Sequence, residues 1–196
     1  MFVIDVWRKR YPRLTQFLDG DLKALPADGS AIWGAFLDSS QLSPTDAISA
    51  VTFSDARPVL WFDDLGASEY GYFDYSVPGR IEIATQVASR FESDSTVSNA
   101  KMFARITALH ELCNWAIYKS NGPDVGSIEP GIGFQNALVA AGVLPGPGML
   151  LPWWGAAPPA GQAGAAVATS STDAAKARAD FVAASLGALT PSSTRA

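Results

Sequence analysis

The sequence predicts an α+β domain in which a small, mostly antiparallel sheet precedes a long helix and a helical C-terminal part. Three observations carry this prediction. Short β-branched and aromatic runs, separated by turn residues, fill the stretch from Val51 to Ala84. Apolar residues then recur at three- and four-residue steps from Met102 to Ile117. With 196 residues, 48% of them hydrophobic and including six Trp and ten Phe, the chain is large and apolar enough for one packed core.

Taken in order, the residues through about Leu25 mix basic and apolar positions (Trp7, Arg8, Lys9, Phe17, Leu18) and predict a helix. Ala31 to Leu37 predicts a second, short helix, and Ser43-Pro-Thr-Asp46 a turn or helix start. Val51 to Phe53, Pro58 to Phe62 and Tyr70 to Tyr75 are expected as strands, with Asp63 to Gly66 as the turn ending the second. Val77-Pro-Gly79 then turns the chain into Arg80-Ile-Glu-Ile-Ala84, whose alternation suits a strand with one wet face. Thr85 to Phe91 predicts a helix, and Asn99 is the expected N-cap of the long helix that follows. Lys119 to Asp124 ends that helix with turn chemistry, and Glu129-Pro130 opens another that runs to Gly142, proline being comfortable in a first turn. Residues 1–154 are expected to form the domain. Residues 155–196 form an Ala/Gly/Pro/Ser-rich tail, in which Thr172 to Leu186 is a terminal helix or a linker.

A net charge of −5 argues against nucleic acid, which requires a basic stripe, and against an anionic membrane surface. The apolar stretch from Ala137 to Trp154 is broken by Pro145, Pro147 and Pro152, so no membrane span is expected. Met1 to Asp5 is too short an apolar run for a signal peptide, so a secreted role would use a signal-free route or a carrier. Cys113 is the single cysteine, and no intrachain disulfide can form.

Chemistry concentrates in Thr107-Ala-Leu-His-Glu-Leu-Cys-Asn-Trp115. In the zinc-peptidase pattern H-E-x-x-H, two histidines one helical turn apart bind Zn²⁺ and the glutamate between them acts as general base. Here His110 and Glu111 are in place, Asn114 stands at the second histidine position, and His110 is the one histidine of the chain. Residues four apart share a helix face, so His110 and Asn114 point the same way. A metal bridging them needs a third ligand, for which Glu129 is the best candidate. Tyr70, Tyr72 and Tyr75 are candidates for a cleft wall, where a tyrosine hydroxyl can stabilise an oxyanion. No G-x-S-x-G elbow or glycine-rich phosphate loop competes with this site.

The ordered set Leu109-His-Glu-Leu-Cys-Asn-Trp115, then Glu129-Pro-Gly-Ile-Gly-Phe134, preceded by Gly66-Ala-Ser-Glu-Tyr-Gly-Tyr-Phe73 and Arg80-Ile-Glu-Ile83, resembles a family of bacterial metallopeptidase-like toxin domains. That family includes zinc-peptidase effectors delivered by type VI secretion, and the likeness runs from about Pro58 to Gly142. The resemblance implies a zincin-like fold and a secreted effector that hydrolyses a peptide or amide bond by zinc-activated water. His110 then maps to the first zinc ligand, Glu111 to the general base and Glu129 to the third ligand. The strand Arg80, Ile81, Glu82 and Ile83, with Tyr70 and Tyr72 nearby, would be the edge on which an extended peptide docks. The implied partners are a peptide or protein substrate, a secretion carrier and an immunity protein.

Asn114 departs from that pattern, because an amide oxygen is a far poorer Zn²⁺ ligand than imidazole. Gln135 is a second departure, in the place of a family glutamate. Three readings of Asn114 follow. The chain is a pseudopeptidase that keeps the cleft and binds a peptide or partner; or the site is remodelled around His110, Cys113 and Glu129; or Asn114 is a variant residue in an otherwise ordinary zinc peptidase. A buried Cys113 is the competing account of the second reading.

Overall fold

The computed structural model describes residues 2–52, 58–66, 69–94, 98–122 and 129–145. The expected tail 155–196, the apolar patch Leu150 to Trp154 and Phe53 of the expected first strand lie outside these residues. Strands β1 (Phe2–Val3), β2 (Val59–Asp63), β3 (Gly71–Tyr72) and β4 (Arg80–Ala84) form one sheet in the order β1-β2-β4-β3. Around it lie helices α1 (Asp5–Arg10), α2 (Pro12–Asp28), α3 (Ala31–Ser40), α4 (Pro44–Val51), α5 (Thr85–Ser93), α6 (Ser98–Asn121) and α7 (Pro130–Ala140). The architecture is mixed α+β and mostly helical.

The sheet corrects the expectation of mostly antiparallel pairing. β1 runs parallel to β2, and β2 parallel to β4 with Leu60 opposite Ile81 and Phe62 opposite Ile83; β3 and β4 alone pair antiparallel. The physical reason is the connections. The whole block α1 to α4 separates β1 from β2, which is the long crossover that parallel neighbours need, whereas the tight turn at Val77 to Gly79 leads directly into β4.

β4 was also expected to be an edge strand with one wet face, and it is neither. It lies between β2 and β3, and all five of its residues are buried. The charged positions of its alternating pattern pair with each other: Arg80 and Glu82 form an ion pair, with the guanidinium over the Trp61 ring at 5.6 Å from the centroid. Polar alternation along a strand therefore marked a buried pair instead of a solvent face.

Local chemistry explains the helix boundaries. The N-terminal segment is two helices and not one, because Tyr11 leaves helical geometry and Pro12 restarts the chain at a first turn. Ser30 caps α3 by accepting from the Trp33 N–H at 3.3 Å, and Ser43 caps α4 by accepting from the Asp46 N–H at 3.2 Å. Val51 closes α4 instead of opening a strand. The expected strand Tyr70 to Tyr75 reduces to Gly71–Tyr72, and α6 begins at Ser98, one residue before the expected cap.

α6, some 36 Å long at 1.5 Å per residue, is the centre of the described fold rather than an amphipathic flank. Every residue from Leu112 to Ile117 is buried, as are Phe103, Ala104 and Ile106 to Leu109. α2, α3, α5, α7 and the sheet all pack against it. The Arg105 guanidinium ties it to Asp21 of α2. A helix enclosed on all sides carries its polar residues into protein and not into water, and this places the His-Glu pair at the base of a cleft.

Candidate active site

One face of α6 presents Thr107, His110, Glu111 and Asn114, at steps of three, one and three residues. Tyr70 just before β3, Tyr72 on it and Tyr75 after it stand opposite, and Glu129 at the N-terminus of α7 closes the end. The open cleft between them has a volume of about 520 Å³. Two glycines permit the approach of its walls. A Cβ on Gly71 would lie 2.5 Å from Glu111 Oε1, and one on Gly131 would lie 2.3 Å from His110 Cδ2. Both contacts are shorter than any side chain tolerates, so β3 touches the glutamate and α7 covers the imidazole because these positions lack a side chain.

Asn114 organises the polar network. Its Oδ1 accepts from the Gly131 backbone N–H at 2.8 Å, and its Nδ2 donates to Glu129 Oε1 at 2.8 Å and to Glu111 Oε2 at 3.2 Å. A backbone N–H can only donate, so the amide orientation is set by chemistry and not by choice. Asn114 thereby caps α7 from the neighbouring helix, a role that the N-cap residue Glu129 does not fill with its own side chain. His110 Nε2 lies 2.9 Å from Glu129 Oε1, and its Nδ1 lies 3.1 Å from Gln135 Nε2. With Gln135 donating to Nδ1, the neutral ring carries its proton on Nε2 and gives it to Glu129.

The electrostatics follow from this packing. Burial pushes the Glu111 carboxyl up to about 7, only partly opposed by His110 and by the hydrogen bond from Asn114. Burial also disfavours charge on His110, but the hydrogen bond to Glu129 and the fields of Glu111 and Glu129 outweigh it and raise the imidazole above its ordinary value. The His110 hydrogen bond holds Glu129 below the usual carboxylate range, against the effect of burial.

The donor set does not fit a three-ligand zinc centre. The one oxygen of the Asn114 side chain is held by Gly131, so the residue turns hydrogens, not a lone pair, toward His110 and Glu129. Among the described residues no group of three or more His, Cys, Asp or Glu is placed to hold a metal ion.

Of the residues singled out from the sequence, His110, Glu111, Asn114, Glu129, Tyr70 and Tyr72 all line this cleft. Cys113 does not: it is fully buried on another face of α6, where burial raises its thiol well above the ordinary value. Arg80, Ile81, Glu82 and Ile83 are buried in the inner strand and do not line the cleft either. Gly71, Thr107 and Gly131 escaped sequence reasoning. The glycine of Glu129-Pro-Gly131 carries the one available signal, since a Gly just inside a helix start calls for a packing reason.

A His-Glu helix, a facing carboxylate on the next helix and a cleft walled by a short edge strand define a metallopeptidase-like domain. The family model for Metallopeptidase toxin 3 matches residues 7–139, and the chain belongs to that family. The match begins at Trp7, so the helices between β1 and β2, which the sequence resemblance left out, are part of the family domain. No curated protein and no solved structure matches the chain. Membership of a metallopeptidase family implies a metal, which these residues do not accommodate in the usual way.

Proposed function

We propose that this chain is a pseudopeptidase of the metallopeptidase toxin family: a zincin-like domain that grips a peptide in the cleft without zinc-dependent hydrolysis. The observation that carries this reading is the Asn114 amide, which presents a donor to both carboxylates and spends its oxygen on α7. Peptide docking is proposed at β3, the edge strand beside the cleft, where Tyr72 is exposed, in place of the inner strand Arg80–Ala84. In keeping with the family, the domain is proposed to act as a secreted bacterial effector, delivered by a carrier such as a type VI spike and met by an immunity protein. Among the described residues no helix is long and apolar enough to cross a membrane.

The test is peptide binding followed by fluorescence anisotropy, with cleavage followed by mass spectrometry, in EDTA and in zinc. Equal affinity in both buffers and intact peptide are expected. A second reading, zinc-dependent hydrolysis with Glu111 as general base, draws support from the family and from a Glu111 carboxyl near 7, where general bases work well. Cleavage in zinc that EDTA stops and Glu111→Gln abolishes would establish that reading and overturn the first.

A further inference from the structure

We propose that the cleft selects a cationic nitrogen group of its peptide, an ammonium or guanidinium, seated between the tyrosine wall and the carboxylates of α6 and α7. The proposal rests on the peptide-binding reading above and names what that peptide must carry. Tyr70, Tyr72 and Tyr75 line one side, so aromatic rings border the space a cation would occupy. Tyr75 is steadied by Phe73 and Tyr118, whose ring centroids lie 5.1 Å and 5.9 Å away. Glu69, Glu111 and Glu129 line the same cleft, which no Lys or Arg of the described residues enters.

The one basic group present is already engaged, since His110 Nε2 sits 2.9 Å from Glu129 Oε1. Glu111 Oε1 has His110 Nε2 only at 3.9 Å, beyond hydrogen-bond reach. A separate observation is an unmet polar group on the same face of α6. Thr107 lines the cleft one turn before Glu111, is 4% exposed, and its Oγ1 is buried without a hydrogen-bond partner. A buried hydroxyl can donate as well as accept, and it is costly when neither capacity is met. An ammonium carries three donors and a guanidinium five, and either can serve a hydroxyl and a carboxylate together while its charge faces an aromatic ring.

The experiment uses the full chain in EDTA and a positional hexapeptide library with capped ends. At each position Lys is matched with Nε-acetyl-lysine and Arg with citrulline, and a further arm compares free and acetylated amino termini. At one position or at the terminus, the cationic member is expected to bind on the order of ten-fold tighter than its neutral match. The position identifies a side chain as the source, and the terminal arm identifies a free amino group. In Tyr75→Leu and Glu69→Gln the preference is expected to shrink several-fold, whereas Tyr75→Phe keeps it. Neutral and cationic peptides bound equally well would overturn this proposal and leave peptide binding standing. A library that binds nowhere would overturn the peptide-binding reading itself.

Discussion

Asn114→His puts the metal argument to its most direct test, because it restores the full H-E-x-x-H pattern on a helix that already carries His110 and Glu111. In the metal-free protein the change removes the hydrogen bond of 2.8 Å to Gly131 and those of 2.8 Å and 3.2 Å to Glu129 and Glu111. A buried N–H left without an acceptor costs about 1–3 kcal/mol, and a lost hydrogen bond to a charged group about 1.5–3 kcal/mol. An imidazole nitrogen recovers part of this, so a net loss of about 2–3 kcal/mol is expected. For a chain of this size that corresponds to a fall in Tm of roughly 5–10 °C. Zinc should then reverse the loss, adding about 2.7 kcal/mol at a concentration one hundred times Kd. The assay is thermal unfolding in EDTA and in zinc, with zinc counted by elemental mass spectrometry after dialysis. Wild-type curves are expected to coincide in the two buffers with no zinc retained, while the variant melts low in EDTA, recovers in zinc and retains about one zinc per chain. A wild-type protein that keeps one zinc through dialysis and loses several degrees in EDTA would refute the reasoning. A variant that takes up no zinc would show that the cleft is not a degenerate zinc site at all.

Three further outcomes are expected. Gly131→Ala drives a methyl to 2.3 Å from His110 Cδ2, so the start of α7 must retreat; urea unfolding should show a loss of about 1–3 kcal/mol, with peptide affinity falling as well. Glu111 has a folded value near 7 against an ordinary 4.5, so the folded state binds the extra proton. Its contribution is fully present below about pH 4.5 and is lost as pH rises through about 7, an amount on the order of 3 kcal/mol that Glu111→Gln should remove from the pH profile of stability. The raised His110 value acts in the same direction, and the lowered Glu129 value in the opposite one, losing stability as pH falls. Cys113 is fully buried with a raised thiol value, so iodoacetamide should modify it at the rate of unfolding; rapid labelling of the native protein would contradict its placement.

The α+β class, the long motif helix and the convergence of His110, Glu111, Asn114 and Glu129 were legible in the amino-acid order, because helical periodicity and one-turn spacing are local properties. Ser43 announced a helix start for the same reason. Strand pairing was not legible. Whether Arg80-Ile-Glu-Ile83 sits at an edge or in the middle of a sheet depends on β2 arriving parallel beside it, and an internal ion pair writes the same alternation as a wet face. The orientation of Asn114 is likewise tertiary. The residue type permits an oxygen or a nitrogen to face the cleft, and only the arrival of the Gly131 N–H from α7 selects the nitrogen. Gly71 and Gly131 acquire their importance in the same way, since a glycine declares no role until another element is packed where its side chain would have been. Local order thus placed the chemical groups on one helix face, and contacts between distant segments decided what those groups offer a ligand.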